Sequence, residues 1–341
     1  ADDYVESLRA RRLNVFLMGE RIEEPADHPM IRPSINAVAA TYQLASEDPN
    51  LGTAKSSLTG HKINRFLHIT ESVEDVVLQN RMQRRLGQLT GTCFQRCVGM
   101  DAINALYATT YDCDQAHGTD YHRRFKNFLD TVQRNNLVIG GAMTDVKGDR
   151  SKTPSDQVDP DLYVRIVERR ADGVVIRGAK AHQTGCINSH WILVMPTVRL
   201  TERDRAYAIV CALPVEAEGI TFIYGRQSCD TRSMEDGDLD SGNAQFSGQE
   251  ALLVLDDVFV PWHHVFMDGE HEFAAPLVEQ FTAYHRRSYV CKAGVGDVLI
   301  GAAALAADYN GVAGASHVRD KLVEMTHLNE TIYGTGIAAS H

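Results

Sequence analysis

Long apolar runs are missing from this chain: no window approaches the ~18 uninterrupted apolar residues that a membrane-crossing helix needs, so no transmembrane segment is expected. An excess of positive charge is missing too. Lys and Arg number 34 against 45 Asp and Glu, a formal net charge of −11. Neutralising nucleic-acid phosphates takes clustered cations, so nucleic acid is not an expected partner, although local basic pockets for an anionic cofactor fit this balance. Proline is scarce, at 10 of 341 residues, and neither a Pro-rich nor a Ser/Gly-rich linker divides the chain. With 44% hydrophobic and 23% charged residues the composition excludes a disordered, collagenous or low-complexity protein and allows two or three closely packed domains. The first residues, Ala1 to Leu8, lack the basic-then-apolar order of a secretory leader. Seven cysteines, an odd count in a long chain of this kind, argue against a disulfide framework. They point instead to a cytoplasmic protein whose thiols serve metal or redox chemistry. No Gly-x-Ser-x-Gly or Walker pattern is present, and Gly294-Val-Gly296 follows a helical pattern rather than a strand, which fails the context of a dinucleotide turn.

What is present is an order of elements. The N-terminal part reads as helices: Asp2 and Asp3 can cap a segment running to Gly19, and Ser34 can cap the stretch from Ile35 to Leu44. Ser72-Val-Glu-Asp75 is a capping-box-like start for a helix ending at Gly87, and a further helix beginning near Thr92 would carry Cys93, Cys97, Met100 and Asn104 down one face. The pattern then changes to period two or short apolar runs: Leu162 to Val167, Val174 to Ile176, Trp191 to Met195, Ala208 to Leu213, Ile220 to Tyr224 and Ala251 to Val260. Asp172-Gly173 is a hairpin signal. Helical periodicity returns from about Glu272, through Val298 to Ala307 and Val318 to Ile332. The predicted class is α+β in the order α, β, α, without internal repeats.

Three constellations carry possible chemistry. Cys93 and Cys97 are spaced to share one helix face, and His285-Arg-Arg-Ser-Tyr-Val-Cys291-Lys292 adds an imidazole and a third thiol far downstream. A lone cysteine pair is more often buried packing than a ligand pair. Three thiols and one imidazole, however, make a full four-ligand set for structural zinc or for an iron-sulfur cluster with one histidine in place of a cysteine. Met143-Thr-Asp-Val-Lys-Gly-Asp-Arg150 offers hydroxyl, backbone and cationic groups for a pyrophosphate or a flavin edge, or is a solvated charged turn. Ala181-His-Gln-Thr-Gly-Cys-Ile-Asn-Ser-His190 is a polar stretch between apolar strands, suited to lining a ligand or to a plain loop.

Beyond these constellations, His28-Pro-Met-Ile-Arg-Pro-Ser34, His68-Ile-Thr-Glu-Ser72, Leu89-Thr-Gly-Thr-Cys93, Gly118-Thr-Asp-Tyr-His122, Thr144-Asp-Val-Lys-Gly-Asp149, Ala181-His-Gln-Thr184 and the segment His285 to Asp297 occur in this order. With the cysteine pair, they resemble the 4-hydroxybutyryl-CoA dehydratase/vinylacetyl-CoA isomerase family over essentially the whole chain. The wider group holds 4-hydroxyphenylacetate 3-monooxygenase-like flavoproteins, which lack the cysteine and histidine set. The resemblance implies an acyl-CoA-dehydrogenase-like fold with a helical domain at 1–137, a central β-barrel at 138–270 and the start of a helical bundle at 271–341. It also implies FAD, a 4Fe-4S cluster, an acyl-CoA substrate and a homotetramer. Cys93, Cys97, His285 and Cys291 match the cluster ligands; His285, Glu250, Tyr289 and Lys292 match catalytic residues beside the substrate. Met143, Thr144, Asp145, Lys147, Asp149, Arg150, Gln183 and Thr184 match flavin contacts. Two departures stand out. The run Tyr289-Val-Cys291 is one residue shorter than the family's Tyr-Gly-Gly-Cys-like run, enough to turn a helical cysteine by about 100°. Family members also continue past His341 and supply a further acidic group there, so the bundle is expected to be incomplete.

The implied reaction is dehydration of 4-hydroxybutyryl-CoA to crotonyl-CoA, with vinylacetyl-CoA isomerisation, by a flavin-radical mechanism in which the cluster is a Lewis acid. The β C–H bond is not acidified by the thioester, and acid-base catalysis alone, worth ~10²- to 10⁴-fold, is too weak to break it. Neutral imidazole in place of a thiolate removes negative charge from the donor set, which suits binding of an oxygen ligand. Two other readings are a flavin-dependent aromatic hydroxylase, in which the cysteines are incidental, and a zinc-stabilised scaffold or truncated inactive subunit.

Overall fold

The computed structural model describes residues 1–225, 231 and 243–341, with 286–288 described by backbone alone. Cys229, expected in ordinary packing, lies outside the described residues. The chain opens with α1 (Asp2–Arg9), the hairpin of β1 (Val15–Leu17) and β2 (Glu20–Ile22), and α2 (Arg32–Glu47). The first helix stops at Arg9 rather than Gly19. Met18 and Gly19 both take left-handed φ (53° and 91°) and form a two-residue turn of the kind that matches strand twist. Pro33 sits in the first turn of α2, so Ser34 is already helical and donates its hydroxyl to the Ile31 carbonyl at 2.8 Å instead of capping.

Then follow α3 (Pro49–Gly52), β3 (Thr53–Lys55) paired with β4 (Lys62–Asn64), and the long helices α4 (Val73–Thr90), α5 (Cys97–His117) and α6 (Tyr121–Arg134). Ser72 caps α4 as its spacing predicts, accepting the Asp75 amide at 3.1 Å. The helix passes through Gly87 and ends at left-handed Gly91 (φ 62°). Cys93 is not helical: α5 starts only at Cys97, after a buckle in which Gln95 takes φ 61°.

The central strands are β5 (Ile139–Ala142), β6 (Arg165–Arg169), β7 (Gly173–Thr184), β8 (Trp191–Val194), β9 (Ile209–Pro214), β10 (Ile220–Tyr224), β11 (Glu250–Pro261) and β12 (Val265–Asp268). Asp172-Gly173 turns β6 into antiparallel β7 as predicted. Among the described residues the strands form two open sheets, β2-β1-β10-β11-β7-β6 and β12-β9-β8-β5, and not a closed barrel. The outer strands explain this: β2 and β6 carry exposed Glu20, Arg21, Glu168 and Arg169, charges that block further pairing.

One core draws on both sheets and on α1 and α2, with Val15, Ile35, Val38, Phe222, Leu253 and Val258 buried together with Ile192, Val194 and Cys211 of the four-stranded sheet. A second joins the four-stranded sheet to α5 and α6 through Ile103, Leu106, Phe125, Leu193 and Val210. Each such side chain contributes about 1.5–3 kcal/mol on burial. The chain closes with α7 (Ala274–Ser288), α8 (Cys291–Tyr309) and α9 (Ser316–Ala338). Gly294-Val-Gly296 lies inside α8 and serves packing. A Cβ on Gly294 would meet the Arg84 carbonyl oxygen at 2.1 Å, and one on Gly87 of α4 would meet the Cys291 carbonyl oxygen at 2.4 Å. Among the described residues no helix is long and apolar enough to cross a membrane.

Candidate active site

Where α5, α7 and α8 meet the edge of β7 and β11, the chain leaves a cavity of about 870 Å³, a size typical of small-molecule sites. Cys93, Cys97, His285, Glu250, Tyr289, Cys291, Lys292 and Thr184 all line it, beside His182. Residues scattered over about 200 positions of sequence therefore share one chamber, and each is fixed by a different local device.

The buckle that carries Cys93 is tied down from three sides. Gln95 donates to the Gln249 carbonyl at 3.0 Å and accepts from Asn188 at 2.6 Å. Gly185 (φ 65°) lets that turn approach, since a Cβ there would lie 2.8 Å from the Gln95 Cβ. The fully buried Arg96 donates to Thr41 at 2.9 Å and lies 4.9 Å over the Tyr42 ring and 4.8 Å over Phe66, a cation-π contact on both rings. Cys97 then opens α5. Gly99 holds that helix against β5, for a Cβ would meet the Ile139 carbonyl oxygen at 2.0 Å.

One turn after Cys97, the buried Asp101 points at His285 on α7: Oδ2 is 2.9 Å from Nδ1. The imidazole stacks on Phe281 with centroids 5.1 Å apart and meets the edge of Tyr289 at 5.2 Å. Helices α7 and α8 break at residues 289–290, and Cys291 begins α8 inside the cavity. Glu250, the first residue of β11, accepts from the Thr184 hydroxyl at 3.1 Å and has its other oxygen 3.4 Å from His182 Nδ1.

The thiols differ in acidity. A hydrogen bond donated by Cys97 draws the Cys93 thiol down to about 6 against its burial, helped by the Gln95 amide and the Lys292 charge. Cys97, the donor, is held well above the ordinary thiol range by that bond and by burial. Burial pushes Cys291 up to about 11, with the Cys93 charge adding to it and Lys292 opposing. A centre bound by all three sulfurs releases protons as it forms.

The sequence of the chain matches the family models described as 4-hydroxyphenylacetate 3-hydroxylase N terminal, over residues 1–267, and C terminal, over 274–341. It is 59% identical to the 4-hydroxybutyryl-CoA dehydratase/vinylacetyl-CoA-Delta-isomerase of Clostridium aminobutyricum, over all of this chain and 70% of that one. The chain belongs to the 4-hydroxybutyryl-CoA dehydratase family. Its structure superposes on an oxygen-tolerant archaeal 4-hydroxybutyryl-CoA dehydratase from N. maritimus with a TM-score of 0.98 and 69% identity, covering 100% of this chain and 68% of that one. The oxygenase component of 4-hydroxyphenylacetate 3-monooxygenase, solved with FAD, shares the fold at TM-score 0.80 and 22% identity, over 98% and 69% of the two chains. A glutaryl-coenzyme A dehydrogenase shares it more loosely, at TM-score 0.52 and 12% identity, over 81% and 64%.

Of the flavin contacts that the dehydratase family resemblance implies, Thr184 alone lines the cavity. Gln183 is buried behind it and binds Met143 and Thr144, accepting the Met143 amide at 3.1 Å and donating to the Thr144 carbonyl at 3.2 Å. Asp145 is committed to structure: its carboxylate takes the buried Lys180 ammonium and the Thr197 hydroxyl. Lys147 (φ 80°) accepts the Tyr163 hydroxyl on its carbonyl, and the Asp149 amide donates to Gln157, while Asp149 and Arg150 face solvent. Among the described residues no three His, Cys, Asp or Glu side chains converge on a point fit for a single metal ion. The donor set still suits a cluster, in which each ligand bonds its own iron rather than a shared ion. Two residues were missed from sequence. Asp101 carries a signal, since it follows Cys97 by one helical turn, but His182 carries none beyond its place in the Ala181-His-Gln-Thr184 motif.

Proposed function

We propose that this chain dehydrates 4-hydroxybutyryl-CoA and shifts the double bond of vinylacetyl-CoA, both giving crotonyl-CoA, with a 4Fe-4S cluster and FAD as cofactors. The observation that carries this reading is the meeting of Cys93, Cys97, Cys291 and His285 in one cavity with Glu250, Tyr289 and Lys292. An aromatic hydroxylase has no use for three such thiols. When bound, FAD supplies one-electron oxidation and reduction and the cluster supplies a Lewis-acidic iron for the substrate hydroxyl. The three thiols and His285 Nε2 would hold the cluster, since Asp101 occupies Nδ1. Thr184 would touch the flavin, with Gln183 and the turn from Met143 to Arg150 supporting it.

The chain's own work is then proton transfer and charge. The thioester acidifies the α carbon, and the isomerisation moves a proton from that carbon to the γ carbon. Glu250, held by Thr184, suits this shuttle, with His285 as the second candidate base. Removing the α proton places negative charge on the thioester oxygen, which the Lys292 ammonium stabilises. Tyr289, against the His285 ring, positions the 4-hydroxyl and gives it a proton as it leaves.

We further propose the acyl-CoA-dehydrogenase-like layout of 1–137, 138–270 and 271–341, in a cytoplasmic homotetramer. Support comes from six described cysteines, all free thiols, which suit a reducing compartment. The exposed Leu299, Leu305, Val323 and Leu328 on α8 and α9 offer apolar surface for another subunit.

Anaerobic purification with flavin, iron, sulfide and zinc analysis, followed by incubation with each CoA ester, tests the reading. Iron, sulfide and flavin with formation of crotonyl-CoA support it. Flavin without iron, or zinc without flavin, with neither ester consumed, overturns it.

A further inference from the structure

His182 has a backbone conformation that its place in a strand does not call for. It lies in β7, yet its φ is +53°, a left-handed value that is uncommon for any residue but glycine. Pairing shows why. Ala251 opposes Gln183 and Leu253 opposes Lys180, so Ala181 and His182 together face the single residue Leu252. This is a β-bulge, a device that re-aims a side chain. A strained non-glycine residue costs about 1–3 kcal/mol and persists only where the surroundings fix it. Here the ladder to β11 on both sides of the bulge does so. The re-aimed imidazole reaches the cavity wall, with Nδ1 3.4 Å from Glu250 Oε2, while Thr184 holds Oε1 at 3.1 Å. Each carboxylate oxygen of Glu250 thus meets a side chain from the same short stretch of β7.

We propose that His182 is a positioning residue for Glu250. With one oxygen accepting from Thr184 and the other beside the half-exposed contact with the imidazole, the carboxylate is biased toward one orientation before the substrate carbon. This rests on the reading above, in which Glu250 takes the α proton of the acyl-CoA and returns it to the γ carbon. No bond to His182 forms or breaks in that transfer; its role is orientation.

The test uses the holoenzyme with His182→Gly and His182→Asn, because glycine adopts left-handed φ freely and asparagine tolerates it, so the bulge survives in both. With vinylacetyl-CoA in deuterated water, kcat and solvent-deuterium incorporation should fall about 100-fold, the loss expected when a reacting group drifts by about an ångström. KM should stay within about twofold, since no substrate-binding group is removed. Flavin and iron content should match the parent, and added imidazole should restore activity to His182→Gly. Parent-like kcat in both variants overturns the proposal, as does a loss that imidazole does not restore and that follows loss of flavin or iron. A parent enzyme inactive on vinylacetyl-CoA counts against the assigned reaction instead. The pairing is then decided by the infrared difference between His182→Gly and parent: a shifted carboxylate stretch supports it, and an unchanged one overturns it.

Discussion

Asp101 Oδ2 lies 2.9 Å from His285 Nδ1, so a buried carboxylate on one helix fixes which nitrogen of an imidazole on another faces the cavity. The carboxylate accepts the Nδ1 proton, which leaves Nε2 as the lone-pair nitrogen. Asp101→Asn offers an amide that can donate to Nδ1 and drive the proton to Nε2, where it blocks coordination and base function alike. Turnover and iron retention against a chelator should both drop about 10- to 100-fold, the usual effect of losing such a partner. Parent-like values for both would show that the pair does not set the tautomer.

Exchanging the imidazole for a thiolate separates two roles of one side chain. His285→Cys gives four sulfurs, so iron and sulfide should remain bound, while dehydration falls by roughly 10²- to 10⁴-fold as the neutral ligand and the second candidate base disappear together. Iron analysis alongside crotonyl-CoA formation reads both. A variant that keeps its iron and its turnover would remove His285 from the chemistry.

The sequence pattern picked out the residues of this chamber better than their geometry. Cys93, Cys97, His285 and Cys291 stand out by residue type, yet the helix drawn through both Cys93 and Cys97 does not exist, because Gln95 adopts a left-handed φ that only its partners Asn188 and Gln249 explain. Those partners are 93 and 154 residues away. The strands β6 to β11 were readable from alternation, but not β1 to β4, which lie in the part read as helical, nor the strand order, since pairing β1 with β10 in parallel joins segments that local pattern cannot relate. His182 stayed hidden for the same reason: a bulge belongs to the register between β7 and β11, not to either strand alone.

His190 makes part of the stability depend on pH. Burial, aided by Arg11 and Arg96, pushes its imidazole down to about 3, and the neutral ring accepts the Val138 amide at 2.9 Å while its other nitrogen sits 3.0 Å from the Ser7 hydroxyl. An unfolded chain protonates this histidine below ~6.5. Between that value and about 3 the unfolded state therefore holds the extra proton, so stability falls as pH drops through this window and is fully present above it. His264, held down to about 4 chiefly by burial, acts in the same direction. Urea midpoints measured from pH 7 to 4 should decline for the parent and decline less steeply for His190→Gln. Parallel curves would show that His190 is not a source of the acid sensitivity.

Two glycines of α8 should respond oppositely to the same substitution. At Gly294 a Cβ would meet the Arg84 carbonyl oxygen at 2.1 Å and its carbonyl carbon at 2.9 Å, backbone atoms of α4 that cannot swing aside. Gly294→Ala must pry α8 from α4 close to Cys291, at about 1–3 kcal/mol. At Gly301 a Cβ meets nothing within 4 Å, and alanine in an open helical position gains about 0.5–1 kcal/mol over glycine. Thermal unfolding should place Gly294→Ala below the parent and Gly301→Ala at or above it. Because α8 also carries Cys291 into the cavity, bound iron should fall in Gly294→Ala alone. Equal stability and equal iron in the two variants would mean that the close approach of α4 and α8 does not hold Cys291 in place.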